Sequence, residues 1–171
     1  MRVINIHKRK LNQPKEKVVT LFKTLATKDD AIWPNKKWPA MRFKEGLKVG
    51  SKGGHGRIRY TIIDFREGEF IKFEFTKPEG FDGTHELLIH ELSDSQTEIS
   101  HKIVMNTSSL KATFLWFTVV RWLHDGLIED AFDKVENHFS EKGKSRRHSL
   151  WVIILREFYK RKSKKVKLQF N

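Results

Sequence analysis

Cysteine is absent from the chain, which excludes disulfides, thiolate metal sites and cysteine nucleophiles together. That absence fits a reducing compartment, and the expected location is cytoplasmic, with peripheral membrane attachment left open. No apolar run approaches the length that spans a bilayer. Met1 to Asn12 mixes charged and apolar residues at period two, unlike a secretory leader. No Gly-x-Ser-x-Gly elbow, phosphate-binding loop or dinucleotide fingerprint occurs, so no cofactor is expected. Proline is scarce, with four residues in 171. Two of the four stand in Trp33-Pro34-Asn35-Lys36-Lys37-Trp38-Pro39, and each disfavours helix just before it. That segment reads as a constrained loop whose tryptophans act as lids or packing plugs.

Charge is abundant but unevenly placed. The net charge is +13, and residues 142–171 carry 11 Lys/Arg against one acid, Glu157. Residues 1–141 hold 23 basic and 20 acidic side chains, an ordinary balance. The basicity belongs to the tail, and the main body lacks the footprint of a nucleic-acid binder. Aromatic residues make up 12% of the chain, with 13 Phe, which favours a roomy, ring-lined interior.

Periodicity supplies the elements. Arg2 to Leu11 reads as a strand, and Asn12 and Pro14 then open a helix with a stripe at Val18, Leu21, Phe22 and Leu25. Thr27 to Ile32 reads as a second helical turn. Arg42 to Val49 is an expected strand, Gly50 to Gly54 a glycine-rich turn, and Gly56 to Phe65 a strand. Phe70 to Thr76, Thr84 to Leu92 and Thr97 to Asn106 come next as strands. Ser109 to Lys142 reads as one long helix with a stripe of Phe117, Val120, Leu127, Ile128, Ala131, Val135 and Phe139. The expected architecture is α+β: an antiparallel sheet of about six strands wrapped around that helix. The boundary is placed between a domain at 1–142 and a basic extension at 143–171.

Strand parity aims His85 and His101 inward, and helix phase gives His124 the same direction. His55 opens a strand at the rim. Three converging imidazoles are chemically able to bind Zn²⁺ or Fe²⁺, to move a proton near neutral pH, or to serve as hydrogen-bonded cavity walls. The last reading is preferred, and no metal is assigned; His85, His101 and His124 are the only candidates for one. Glu129 and Asp133 fall together on the helix and are expected on its solvated face, so no hydrolytic carboxylate pair is read there.

The element order resembles the START-like, or SRPBCC, helix-grip superfamily, which includes polyketide cyclase/dehydrase and lipid-transfer relatives. Local runs carry the same resemblance over about residues 1–141: Trp33-Pro34, Trp38-Pro39, Gly53-Gly54-His55-Gly56 before Arg59-Tyr60, Gly83-Thr84-His85, and Trp122-Leu123-His124-Asp125. These runs look like those of uncharacterised bacterial members. The resemblance implies a cavity for a small hydrophobic ligand between sheet and helix, in binders and enzymes alike. The basic tail departs from it, since members usually end with the long helix.

The expected function is therefore binding, transport or sequestration of a small hydrophobic or amphipathic molecule. Phe73, Phe75, Leu87, Ile103, Phe117 and Val120 would form the apolar wall. His55, Tyr60, His85, His101 and His124 would meet its polar group. The alternatives are a cyclase/dehydrase-type enzyme using His85, His101 or His124 as acid and base, and an interaction module acting through the tail. In the tail, Leu150, Ile153, Ile154 and Phe158 would line one face and Arg156, Lys160 and Arg161 the other. Residues 149–162 would then pack on the domain, pair with a second copy or lie on anionic lipid, or the tail would stay loosely ordered as a solubilising or nucleic-acid-touching segment.

Overall fold

The computed structural model describes residues 1–140 and 143–168, with side chains to Lys160. Alternating apolar residues make the strands β1 (Arg2–Leu11), β4 (Ile58–Arg66), β5 (Phe70–Lys77), β6 (Phe81–Ser93) and β7 (Gln96–Thr107). With the short β2 (Arg42–Phe43) and β3 (Lys52–His55) they form one seven-stranded antiparallel sheet, in the order β1-β7-β6-β5-β4-β3-β2. The inward parity is as expected: Tyr60, Ile62, Ile71, Phe73, Leu87, Ile89, Ile99 and Ile103 are buried, together with His85 and His101. The sheet curls over a long helix, giving an α+β helix-grip fold.

Three stretches depart from the sequence expectation. Thr27 to Ile32 is a loop, not a helical turn. Ala26 takes a left-handed conformation with φ 62°, and the Asp30 carboxylate accepts the backbone N–H groups of Ala26, Ile32 and Trp33. That carboxylate supplies the acceptors that a helix would have taken from its own carbonyls. The strand expected at Arg42 to Val49 shrinks to Arg42–Phe43. Conversely Gly53 and Gly54, read as turn, are strand. A Cβ on Gly53 would lie 2.2 Å from the Arg42 carbonyl oxygen and 2.4 Å from the Phe43 ring, so only glycine lets β2 approach.

Helix α1 is short, spanning Lys15–Phe22, and the long helix beyond the sheet is not a uniform rod. Its first part, α2 (Leu110–Leu115), is capped by the Ser109 hydroxyl, which accepts the Ala112 N–H. A π-helical turn, Trp116–Val120, then runs into α3 (Arg121–His138). The π turn holds one extra residue and so rotates the helix beyond it. Trp116 consequently takes the inward position, packed with Ile103 and Met105, and Phe117 is 46% exposed. The assignment of Phe117 to the inner wall is corrected by that shift. Phe75 and Val120 pack partly buried beside Trp116. The described helix ends at His138; Glu141 and Lys142, its expected end, lie outside the described residues.

The tail forms α4 (Leu150–Leu168), opened by Ser149. It lies against its own chain, but not with the expected face. Val152 and Leu155 are buried, whereas Leu150, Ile153, Ile154 and Phe158 are exposed. Val152 comes within ordinary contact distance of Gly126, where a Cβ would also meet Trp38 and His148 at 3.4–3.5 Å. Arg156 stacks over the Trp38 ring at 4.4 Å and donates to the Lys37 carbonyl. An apolar-versus-basic division of the helix missed this because cations too have aromatic and carbonyl partners on the body.

Candidate functional site

Strand pairing sets the histidines side by side. His101, on β7, is in register with His7 of β1 on one side and Leu87 of β6 on the other. His85 sits two residues before Leu87 on the same face. His124 descends from α3. The rings form a line: His85 Nδ1 to His101 Nε2 is 3.2 Å, and His101 Nδ1 to His124 Nε2 is 3.3 Å. His124 Nδ1 then meets Asp125 Oδ1 at 3.4 Å.

A carboxylate only accepts, so Asp125 fixes the polarity of the whole line. His124 carries its proton on Nδ1 and offers a lone pair at Nε2. His101 must therefore donate from Nδ1 and accept at Nε2, and His85 must donate from Nδ1. Burial drives this neutral state: it holds the His85 and His101 imidazoles well below their ordinary range. It lowers His124 as well, against the opposing pull of Asp125. The last nitrogen, His85 Nε2, is left as a bare acceptor. It is buried with no hydrogen-bond partner.

Aromatic rings enclose that end of the line. Phe73 and Phe75 stack on His85 with centroids at 4.6 and 4.7 Å, and Tyr60 meets it edge-on at 4.7 Å. Tyr60 also shares a hydrogen bond with His55 Nδ1 at 3.1 Å. Burial pushes His55 down to about 3 and the Tyr60 phenol up. Trp33 closes over His55 at 4.8 Å, so the first tryptophan of the proline loop is a plug here. The expected open space between sheet and helix is thus filled by rings around His85 in this conformation.

A cleft of about 340 Å³ lies farther along, lined by Phe22, Leu25, Phe43, Leu47 and Phe65 together with Lys23 and Glu67. Phe43 forms its inner wall, stacking on Phe73 at 5.8 Å and reaching Tyr60 at 5.7 Å. One ring therefore separates the cleft from the aromatic cage of His85.

The opposite end of the line opens into a charged network that the sequence reading did not assemble. Asp125 Oδ1 also accepts from Asn5 Nδ2 at 2.9 Å and from His7 Nε2 at 3.0 Å. His7 Nδ1 contacts Glu129 Oε1 at 2.9 Å. Both ring nitrogens of His7 face carboxylates, so both carry protons and the ring is an imidazolium. Burial opposes that charge, but Asp125 and Glu129 outweigh it and raise the His7 pKa. The same donors, with His124, depress Asp125 against its own burial. Arg9 then joins Glu129, Asp133 and Glu136. Asp133 is buried and Glu129 half-buried, which corrects the solvated face expected for this pair. The missing signal was strand parity in β1, which places Asn5, His7 and Arg9 on the side of Val3 and Leu11.

A ring nitrogen of His7, one of His124 and an Asp125 oxygen lie within 4.8 Å of one another. Hydrogen bonding from both rings onto one carboxylate oxygen accounts for that convergence. His85, His101 and His124 point at each other in sequence, not at a common centre, which is unlike the first shell of a Zn²⁺ or Fe²⁺ site.

No protein-family profile matches the chain, and no curated protein matches it. Solved structures do. A solution structure from Thermobifida fusca superposes with a TM-score of 0.61 at 11% identity, covering 85% of this chain and 99% of that one. A protein from Nitrosospira multiformis gives 0.60 at 16% identity, covering 82% and 97%. Norcoclaurine synthase from Thalictrum flavum, in complex with dopamine and hydroxybenzaldehyde, gives 0.60 at 9% identity, covering 84% and 90%. At these identities the likeness is one of fold: the chain shares the helix-grip architecture of these structures.

Proposed function

We propose that the protein binds a small amphipathic molecule that donates a hydrogen bond to His85 Nε2. The supporting observation is that atom itself, a buried acceptor with no donor at the end of a line whose protons are fixed from the other end. Leaving it unpaired costs about 1–3 kcal/mol, and a hydroxyl or N–H on a ligand would recover that cost. Phe43, Phe73 and Phe75 would contact the apolar part, with the Phe22–Phe65 cleft as the approach. Phe43 stands on a two-residue strand beside the Gly46 and Gly50 turns, so moving it to admit a ligand would break only the Arg42–Phe43 pairing with β3. His101 and His124 act through His85, as positioning residues.

A second reading, a cyclase-like enzyme, is favoured by the continuity of the line. A proton taken from substrate at His85 Nε2 releases Nδ1–H to His101 Nε2, and His101 Nδ1–H passes to His124 Nε2, leaving His124 an imidazolium whose Nδ1–H stays on the Asp125 carboxylate. Binding and proton abstraction share one geometry, so the binding test comes first. Native mass spectrometry of protein purified from its own host is expected to show a co-purifying small molecule, lost in His85→Phe with the fold retained by circular dichroism. Equal retention by the variant overturns the placement at His85. Independently, ¹⁵N NMR should show the His85 Nε2 resonance of an unprotonated nitrogen.

A further inference from the structure

The two indoles at the π turn both brace its backbone. Trp122 Nε1 donates to the Phe117 carbonyl, and Trp151 Nε1 to the Thr118 carbonyl, each at 2.9 Å. Their hydrogen-bonding edges are satisfied inward, while the rings stay 38% and 44% exposed. The second bond also joins α4 to the π turn, so the outer surfaces of two helices meet there. On the α2 side Leu110 is 91% exposed and Phe114 70%, one turn apart, with Phe117 the next turn on. On the α4 side Leu150 and Ile154 are exposed one turn apart, flanking Trp151. By helical spacing this stripe of α4 borders the edge that meets Thr118, away from Arg156 and the proline loop. Large exposed apolar side chains gathered in this way mark an interaction surface.

Charge selects the occupant. No acidic residue occurs from Ile99 to His124, and the segment from Gly143 onward has only Glu157. Lys111, Arg121 and Arg147 are exposed around the aromatic stripe; Arg121 lies over the Trp122 ring at 5.4 Å and also reaches Asp125 at 3.9 Å. Helix α4 continues to Leu168 through Arg161, Lys162, Lys164, Lys165 and Lys167. Exposed apolar side chains on segments that carry cations and few acids complement an anionic bilayer. A second copy of the chain would bring the same cations to face each other, and nucleic acid would leave Leu110, Phe114 and Leu150 without apolar cover.

We infer that the outer face of α2, the π turn and the first turns of α4 docks the protein on an anionic lipid surface. This face is separate from His85, and its test does not depend on the ligand. Full-length protein is sedimented with vesicles of equal parts phosphatidylserine and phosphatidylcholine, and with phosphatidylcholine alone. Binding is expected to the mixed vesicles only, with a blue shift in tryptophan emission and loss at high salt. The double variant Leu110→Ser, Phe114→Ser alters exposed side chains only and should keep the fold by circular dichroism. It should weaken partitioning by about tenfold or more, given the apolar area it removes. Lys111→Glu with Arg147→Glu, which leaves the Arg121–Asp125 pair intact, should weaken it by a similar factor. The inference is overturned by absent binding to mixed vesicles, or by binding that Leu110→Ser, Phe114→Ser leaves unchanged, which would reduce it to the charge of the tail. It is equally overturned by a solution dimer that the same variant dissociates.

Discussion

Asp125 takes three donors, Asn5 Nδ2, His7 Nε2 and His124 Nδ1, through one oxygen. It therefore separates two kinds of histidine. His55, His85, His101 and His124 are held neutral by burial, with pKa values below the ordinary 6.5. His7, between two carboxylates, is held charged with its pKa raised. The consequences for stability have opposite signs. The neutral group contributes stability that is present above pH 6.5 and is lost as the pH falls toward the folded values, about 3 for His55. The His7 contribution is present below 6.5 and is lost as the pH rises through its raised value. Each histidine contributes a slope of up to about 1.4 kcal/mol per pH unit within its window. Urea midpoints should therefore fall steeply on acidification below pH 6.5, and more gently above neutrality. In His7→Gln the alkaline decline should vanish while the acid limb persists. An alkaline limb of unchanged slope in that variant would place the ionisation elsewhere. The inward aim of His85, His101 and His124 was legible because strands alternate and α3, beyond the π turn, keeps phase through His124 and Ile128. His7 obeyed the same rule, and could have been found by applying parity to the first strand. Its ionisation could not, because that depends on Asp125 and Glu129, more than a hundred residues away in sequence.

The elements that resisted reading are those whose side chains carry no pattern. Gly53 and Gly54 offer no parity, so their strand looked like a turn until the close approach of Arg42 and Phe43 was visible. The π turn has no sequence signature at all, yet it moved Trp116 inward and Phe117 outward. Both features bear on the proposed sites. Gly53→Ala would force a Cβ to 2.2 Å from the Arg42 carbonyl, which only separation of β2 from β3 can relieve. It should cost about 1–3 kcal/mol in chemical denaturation. It should also speed hydrogen exchange at β2 and β3 while leaving β6 and β7 protected, because Phe43 loses its anchor beside the cleft. Uniform exchange across the sheet would show that β2 is not an independent flap. Gly126 is the contrasting case. A methyl group there meets His148, Val152 and Trp38 at 3.4–3.5 Å, which is tolerable, and alanine favours helix by about 1 kcal/mol. Gly126→Ala should be neutral or mildly stabilising, whereas Gly126→Leu should push α4 away.

At the scale of the molecule, α4 is tied to the body through a buried charge. The Asp130 carboxylate accepts from Trp38 Nε1 at 2.7 Å and His148 Nε2 at 3.0 Å, both on Oδ2, with Lys37 Nζ 3.7 Å from Oδ1. Trp38 belongs to the proline loop and His148 to the approach of α4, so one side chain of α3 gathers both. The same loop carries Trp33 onto His55, next to Tyr60 and the cage of His85. The tail thus bears on the site through the loop it covers, a link that its basic, amphipathic sequence does not itself disclose. Ending the chain after Gly143 would remove His148 from Asp130, uncover Trp38 and Gly126, and forfeit the burial of Val152 and Leu155. Those two side chains alone contribute roughly 1.5–3 kcal/mol each when fully buried. Thermal unfolding of the truncated chain should therefore begin several degrees lower, with increased aggregation and increased quenching of Trp38 by acrylamide. Leu155→Ser in the full chain should reproduce part of the shift while keeping the basic charges, which separates packing from electrostatics. If truncation left the unfolding midpoint and Trp38 accessibility unchanged, α4 would contribute nothing to the body, and its role would lie wholly at the surface proposed to dock on lipid.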